Sequence, residues 1–163
     1  MTEVRRLESA DALIYQSLRL EALERHPEAF GASLEDERLK TPEAVGDRLT
    51  RSNVFGAFES DDLAGVAGWY RLSGDKMSHR GGLWGMYVRL SARSRGLGRA
   101  LVEAVLSDTR GTVEQMHLTV VAGNDTARHL YEKTGFVAYG VEPHALKLAD
   151  RYVDEILMLR RPI

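Results

Sequence analysis

The chain has 163 residues, 44% hydrophobic and 28% charged, a composition typical of one soluble globular domain spanning residues 1–163. It contains no cysteine, which excludes disulfides, thiolate metal sites and a cysteine nucleophile. The formal net charge of -2 argues against nucleic-acid binding through bulk charge, and no segment approaches the roughly 20 apolar residues of a membrane span. No apolar core follows the basic pair near the N-terminus, so a secretory signal is not expected. A cytoplasmic location is expected instead.

The first half of the chain predicts helices followed by strands. Apolar residues recur at helical spacing over residues 9–25, and Pro27 ends this helix because the residue before a proline is pushed out of the helical region. Thr41 and Pro42 are typical of the start of a second helix. The elements predicted here are a strand at 4–7, a helix at 9–25, a helix from residue 41, and strands at 54–58 and 63–72 joined by a hairpin turn.

The second half alternates strands and helices. The apolar run at 83–88 predicts a buried strand, and the stripe formed by Leu101, Val102 and Val105 predicts a helix after it. The elements predicted here are strands at 83–88, 117–121, 136–141 and 152–159, and helices at 98–108 and 124–133. This order predicts an α/β (α+β) fold with a mixed sheet, in which strand–helix–strand units are confined to the second half.

A glycine-rich segment, R-S-R-G-L-G-R at residues 93–99, joins the strand at 83–88 to the next helix. Its two glycines allow a sharp turn and a close approach of the backbone to a ligand. The first N–H groups of the helix are unpaired and lie at the positive end of its dipole. A pyrophosphate fits such a site, and Arg93, Arg95 and Arg99 add positive charge beside it.

Other interpretations also fit parts of this loop. A solvated connection between a strand and a helix would contain glycines as well. A dinucleotide-binding fingerprint needs a third glycine where Leu101 stands and a tight turn directly after the strand, and a P-loop needs Gly-Lys followed by Ser or Thr, so both patterns fail. Arginines at 89, 93, 95 and 99 could contact nucleic acid, but no aromatic residues are interleaved among them as in a stacking platform.

A second motif occupies residues 124–136, N-D-T-A-R-H-L-Y-E-K-T-G-F. Ala127, Leu130 and Tyr131 fall on one helical face, and Gly135 stands where a glycine commonly ends a helix. Taken alone, Tyr131 is typical of a core aromatic residue whose hydroxyl reaches the surface.

Together the two motifs resemble those of the GNAT superfamily of acyl-CoA N-acyltransferases. The first signature of that family, Gln/Arg-x-x-Gly-x-Gly/Ala, is matched by Arg93, Gly96 and Gly98. The second signature, Asn-x-x-Ala-x-x-Leu-Tyr-x-x-x-Gly-Phe, is matched by Asn124, Ala127, Leu130, Tyr131, Gly135 and Phe136. One helix and one strand separate the two motifs, as in the family, and the resemblance is strongest over residues 83–136.

The resemblance implies a mixed, mostly antiparallel central sheet with a splayed pair of strands and about four flanking helices. It also implies acetyl-CoA as the acyl donor, and no metal. In the family the pantetheine arm lies between the splayed strands and pairs with backbone groups like an added strand. The cofactor-binding residues that the resemblance implies are Met86, Tyr87, Val88, Arg93, Ser94, Arg95, Gly96, Leu97, Gly98, Arg99, Asn124 and Arg128. A solvated helix face explains the presence of Arg128 equally well.

The resemblance implies Tyr131 as the general acid. A tyrosine of pKa about 10 is protonated at neutral pH and can donate to the coenzyme A thiolate, whose thiol has a pKa of about 8.5. The sequence departs from the family at Gly82, where some relatives carry a glutamate that takes the proton of the amine. Glu142, His79, a backbone carbonyl with a chain of waters, and solvent are the alternatives for this base.

The sequence therefore predicts an N-acetyltransferase whose acceptor is a primary amine, on a small molecule or on a protein. A non-catalytic acyl-CoA sensor and a different nucleotide-binding enzyme are the alternatives. The acceptor is expected against the first two helices and the segments around 73–80 and 140–150. Glu35, Asp36 and Glu37 could attract a cationic acceptor, although a run of charges is more often a solvated face. No nucleic acid and no membrane partner is expected, and a homodimer is left open.

Overall fold

A computed structural model describes residues 2–161. No helix within that range combines the length and the apolar character needed to cross a membrane. The strands of this range are β1 (Thr2–Arg6), β2 (Asn53–Glu59), β3 (Asp62–Arg71), β4 (Arg80–Val88), β5 (Gln115–Val121), β6 (Val137–Leu148) and β7 (Arg151–Arg160). Its α-helices are α1 (Ala12–Arg25), α2 (Leu34–Arg38), α3 (Pro42–Arg51), α4 (Leu97–Thr109) and α5 (Asp125–Lys133).

The strands form one seven-stranded sheet in the order β1-β2-β3-β4-β5-β7-β6. β4 and β5 are parallel, and the other neighbouring pairs are antiparallel. Helix α4 connects the parallel pair, which a short hairpin turn could not do. Helix α5 connects β5 to β6, with β7 lying between them in the sheet. This mixed, mostly antiparallel sheet confirms the predicted fold class.

Two helices begin at the capping residues that the sequence indicates. The Thr41 hydroxyl accepts a hydrogen bond from the Ala44 N–H at 3.2 Å, and Pro42 occupies the first helical position of α3. In α5, the Asn124 side chain accepts from the Ala127 N–H at 3.3 Å. Each cap satisfies one of the N–H groups that the first turn of a helix leaves unpaired.

The sheet separates two apolar cores. One face carries α4, whose Leu101, Val102 and Val105 are fully buried. The opposite face carries α1 and α3, whose Leu18 and Val45 are fully buried. Because side chains alternate between the faces of a strand, β4 contributes to both cores and holds the two layers together.

The structure differs from the predicted elements in two places. Five helices replace the expected four, because α2 is a short and mostly charged helix without apolar periodicity that would reveal it. Strand β6 ends at Leu148 rather than at residue 141. Its register with β7 shifts between Glu142 and Leu146, where His144 has a positive φ of 51°, and the pairing then resumes.

Replacing the fully buried Leu101 by alanine is expected to destabilise the protein, since the change removes buried methyl groups and leaves a cavity under α4. Such substitutions cost about 2–5 kcal/mol of unfolding free energy. The matched control is Leu13→Ala on α1, because the Leu13 side chain is 67% exposed. Urea denaturation measures both variants, and equal unfolding free energies would contradict this packing.

Candidate active site

The parallel pairing between β4 and β5 is short. Residues 80–82 of β4 pair with residues 115–117 of β5, although β4 continues to Val88 and β5 to Val121. Beyond residue 82 the two strands diverge, so the edge of β4 that faces β5 carries backbone N–H and C=O groups without a partner strand. Such groups need a partner from water or from a ligand. We call the wedge-shaped space between these strands the gap. The two strands are the splayed pair that the resemblance implies.

A bulge in β4 lies beside the gap. The register with β3 shifts between Val66 and Gly68, so that Gly85 and Met86 of β4 together face a single residue. Gly85 has a φ of +66°, in the left-handed region that favours glycine. A bulge turns the neighbouring backbone groups in new directions, and this one does so where β4 has already left β5. The sequence did not indicate this role for Gly85.

The three predicted cofactor-binding residues of β4 direct their side chains to the two faces of the sheet, away from its edge. Met86 and Val88 pack in the core under α4. Tyr87 packs in the core under α1, where its hydroxyl donates to Glu21 Oε1 at 3.1 Å. The backbone of these residues, rather than their side chains, therefore runs along the gap. An extended ligand could pair with it as a strand would.

The glycine-rich loop enters α4 through left-handed residues. Ser94 has a φ of 63°, and Gly96, which caps α4, has a φ of 81°. The helix begins at Leu97, one residue earlier than predicted, and the Leu97 side chain is buried. Chain neighbours apart, no heavy atom lies within 4 Å of the position that a Cβ on Gly96 would take. Gly96 is therefore required by its φ, and the space beside it is open.

Gly98 serves a different purpose from Gly96. A Cβ on Gly98 would lie 3.1 Å from Leu130 of α5 and 3.3 Å from Met86 of β4, which is tighter than ordinary van der Waals contact. Because glycine has no Cβ, the first turn of α4 can lie directly on β4 and α5. The two sequence motifs consequently meet at the N-terminus of α4.

The arginines around this loop already have partners. Arg93 Nε donates to the Val88 carbonyl at 2.9 Å. Three other arginines pair with exposed or half-buried glutamates at 2.7 to 2.9 Å: Arg95 with Glu59, Arg99 with Glu103, and Arg128 with Glu132. Exposed ion pairs contribute only about 0.2–1 kcal/mol each, so these three guanidinium groups can exchange a carboxylate for a phosphate at small cost.

Asn124 and Tyr131 stand at opposite ends of α5. Asn124 uses its side-chain oxygen as the helix cap, which leaves its amide nitrogen to donate elsewhere. Tyr131 is 5% exposed and packs edge-on against Phe136, with the ring centroids 5.9 Å apart. Burial raises the pKa of Tyr131, so its hydroxyl keeps its proton at neutral pH. A general acid needs this protonation state.

The side chain of Tyr70 occupies the space beside Gly82, the position that the sequence comparison aligned with a glutamate. The ring of Tyr70 on β3 lies against Gly82, and a Cβ on Gly82 would come within 2.6 Å of the Tyr70 hydroxyl oxygen. Of the alternative bases, His79 precedes β4 at the closed end of the gap, and Glu142 lies on β6, separated from β4 by β5 and β7. The proton acceptor therefore has no assigned residue.

A shallow surface cavity of about 440 Å³ touches one of the segments predicted to hold the acceptor. Asp75, Ser78 and His79 line it together with residues 111–114. It lies beyond the paired residues 80–82, at the end of the strands away from the glycine-rich loop. Its position therefore separates it from the gap.

A buried cluster of charges lies on the face of β4 that carries α1. Glu37 of α2 is 2% exposed, and its Oε1 accepts from Lys40 Nζ at 3.0 Å and from Arg48 Nη1 at 3.1 Å. Arg19 of α1 is 5% exposed, with its Nε 3.8 Å from the same oxygen. Burial alone would raise the pKa of Glu37, but the hydrogen bonds from Arg48 and Lys40 outweigh it and hold the pKa below its usual value. Three cations thus surround one ionised carboxylate.

This cluster overturns the expectation that the acidic run attracts a cationic acceptor. The Glu37 carboxylate is already enclosed by positive charge, and Glu35 forms an exposed ion pair with Arg38 at 3.1 Å. No pattern in the sequence indicated the cluster, because α2 was not predicted and the partners of Glu37 come from α1, α3 and the segment between α2 and α3.

Known proteins are similar to this chain in sequence and in fold. Residues 13–136 match the model of the Acetyltransferase (GNAT) family. The mycothiol acetyltransferase of Beutenbergia cavernae is 31% identical over 133 residues, which is 81% of this chain and 43% of that protein. The chain therefore spans less than half the length of this relative.

Solved structures show the same fold. An acetyltransferase of the GNAT family from Streptococcus pneumoniae matches with a TM-score of 0.88 at 23% identity, over 99% of both chains. The Salmonella typhimurium protein yncA, solved with its cofactor acetyl-CoA, matches with a TM-score of 0.80 at 18% identity, over 98% of this chain and 93% of that one. Because the family model covers 124 of the 163 residues, the chain belongs to the GNAT family of acetyltransferases, which confirms the predicted family and its acyltransferase class.

Proposed function

We propose that this chain, as one domain over residues 1–163, transfers the acetyl group of acetyl-CoA to the nitrogen of a primary amine. The observation that carries the proposal is the gap between β4 and β5, which ends at an open glycine turn on a helix N-terminus in a chain of this family. A cytoplasmic location is part of the proposal. The name of the longer relative does not bring its acceptor to this chain.

Acetyl-CoA fits the residues around the gap. Its pyrophosphate would lie at the first turn of α4, where unpaired N–H groups meet the open space beside Gly96. Its pantetheine arm would run back along the free edge of β4 from Val88 to Met86 and pair like an added strand. The thioester end then lies toward Gly85 and the closed end of the gap. Within residues 2–161, no group of three or more acidic or histidine side chains is arranged to hold a metal ion.

The reaction makes two demands on protons. Acetyl transfer forms a bond between the amine nitrogen and the carbonyl carbon and breaks the carbon–sulfur bond. The amine loses one proton, and the departing thiolate gains one. Tyr131 donates to the sulfur as negative charge develops there, since its hydroxyl is protonated at neutral pH. Holding the amine against the thioester is the other contribution of the chain.

A second candidate is a non-catalytic acyl-CoA sensor. One observation favours it: Gly82, the position aligned with the glutamate of some relatives, carries no carboxylate, and Tyr70 lies against it. The presence of Tyr131 at the tyrosine position of the second motif favours the enzyme, since a sensor has no use for an acid at this place.

Incubation with acetyl-CoA and a panel of primary amines should release free thiol in proportion to the amine consumed. Acetyl-CoA at 100 times its dissociation constant should also stabilise the protein by about 2.7 kcal/mol, seen as a higher melting temperature. A thermal shift without thiol release from any amine would support the sensor. The absence of a shift at millimolar acetyl-CoA would contradict both candidates.

Gly96→Val should weaken acetyl-CoA binding, because a β-branched side chain opposes the positive φ and fills the open space beside the helix N-terminus. Gly111→Val is the matched control. Gly111 also has a positive φ, +76°, and open surroundings, but it follows α4 at its other end. Both variants carry a similar backbone strain of about 1–3 kcal/mol. If calorimetry gives the two variants the same acetyl-CoA affinity, the loop does not hold the pyrophosphate.

Tyr131→Phe keeps the ring packed on Phe136 and removes only the hydroxyl. Turnover should fall by about 10²–10⁴-fold, the usual contribution of general acid–base catalysis. Because the loss is confined to the transition state, kcat and kcat/KM should fall together while the acetyl-CoA dissociation constant stays the same. Tyr152→Phe, at a half-exposed tyrosine of β7, controls for loss of a hydroxyl. Parental turnover in the Tyr131 variant would make this tyrosine a packing residue.

A further inference from the structure

Arg19 is a buried cation whose hydrogen-bonding groups are not all used. The residue is 5% exposed, and its Nε and Nη1 atoms are buried without a hydrogen-bond partner in the described structure. The guanidinium lies over the rings of Phe30 and Trp84, at 5.2 and 5.7 Å from their centroids. Aromatic faces attract a cation, but they accept none of its N–H groups as an oxygen would. An arginine left in this state is costly unless an anion completes its contacts.

The surroundings of Arg19 have an excess of positive charge. Within residues 2–161, Glu37 is the one carboxylate that pairs with Arg19, Lys40 and Arg48. The shortest distance from Arg19 to Glu37, 3.8 Å, is too long for a hydrogen bond, whereas Lys40 and Arg48 bond to it directly. Glu37 therefore compensates part of the charge and leaves the cluster with a net charge of about +2.

The free side of Arg19 is directed at the bulge of β4. A Cβ on Gly85 would lie 3.7 Å from Arg19 Nη1, so this nitrogen lies next to the backbone of the bulge. Trp84, Gly85 and Phe30 are all partly exposed, so the Arg19 guanidinium lies just beneath the surface of this face. The thioester end of the proposed pantetheine path lies at the same level of β4.

We propose that the acceptor amine carries a carboxylate, which binds Arg19 a few bonds away from the nitrogen that is acetylated. The substrate class is then an amino acid or a similarly short amino carboxylate. This inference rests on the proposed acetyltransferase function. A carboxylate would supply the oxygen acceptors that Arg19 lacks and would neutralise part of the excess charge. Charge-assisted hydrogen bonds of this kind are among the stronger ones in proteins.

The unpartnered Glu37 Oε2 does not indicate a cationic acceptor instead. That oxygen is buried without a hydrogen-bond partner, like Arg19 Nη1. A further cation beside Glu37 would, however, approach three positive side chains at once and be repelled by them. A neutral donor such as water can satisfy Oε2 without adding charge. The charge balance therefore favours an anion at Arg19.

The test compares L-amino acids with their carboxamides as acceptors. Each carboxamide keeps the side chain and the amine nitrogen and removes the negative charge, which also lowers the pKa of the amine. This second effect is the same in every variant, so the test compares between variants the ratio of kcat/KM for the best amino acid to kcat/KM for its carboxamide. The ratio should fall by about 10- to 100-fold from the parent protein to Arg19→Gln, the usual worth of a hydrogen bond to a charged group, because the change removes the cation that distinguishes the two acceptors.

Two further variants separate recognition from a structural effect. Arg38→Gln removes an exposed arginine of α2 that pairs with Glu35, and it should keep the parental ratio. Arg19→Lys keeps the charge without the planar group and should give an intermediate ratio. Arg48 and Lys40 still compensate Glu37 in both Arg19 variants, so these should fold. An equal loss with both acceptor classes in Arg19→Gln would make Arg19 a structural residue and overturn the proposal.

The outcome is separable from that of the proposed function. Turnover of amines without preference for carboxylates sinks the inference and leaves the acetyltransferase intact. Where no acceptor in the panel turns over, calorimetry of protein saturated with coenzyme A, titrated with the same amino acids and carboxamides, decides the matter. Binding of an amino acid that is lost in Arg19→Gln supports the carboxylate site. Absence of binding, or equal binding of the carboxamide, overturns it.

Discussion

The divergence of β4 from β5 is the constraint on which the rest of the site depends. A strand inside a sheet normally satisfies its backbone groups on both edges, but β4 loses its neighbour after Gly82. The bulge at Gly85 follows on the same strand, and the loop after the end of the strand at Val88 leads to the start of α4 at Leu97. A single strand thus sets the two ends of any extended ligand in the gap. The relative placement of the proposed phosphate and acetyl positions follows from it.

The sequence predicted the elements in which local signals agree with packing. The cap at Thr41 and the apolar stripe of α4 are examples, since the same residues that favour a helix also bury its face. It missed α2 because that helix is held mainly through Glu37, whose partners come from α1 and α3. It also shortened β6, whose second half resumes pairing after Glu142 only because β7 lies alongside. The first depends on partners in other helices, whereas the second depends on an interruption within a local hairpin, since residues 146–148 pair with residues 151–153.

The same distinction applies to the site. Gly96, Asn124 and Tyr131 belong to compact motifs, in which a turn, a cap and a helical face impose fixed spacings on the sequence. The charged cluster has no such spacing, because its members converge from three helices. The contact between Tyr70 and Gly82 is equally invisible, as it joins neighbouring strands. Local backbone chemistry can be predicted from one sequence, whereas a pocket assembled from distant segments requires the fold.

The ion pairs around the glycine-rich loop act as built-in counterions. Glutamates next to Arg95, Arg99 and Arg128 offset much of the positive field that these arginines would otherwise send into solvent. When a phosphate binds these arginines, it replaces a glutamate carboxylate. The net gain in electrostatic free energy is therefore the small difference between the two ion pairs. Among the described residues, no side chain caps the first N–H groups of α4. Discrimination among anions therefore falls to the shape and direction of the helix end, and an arbitrary polyanion gains little from the arginines around it.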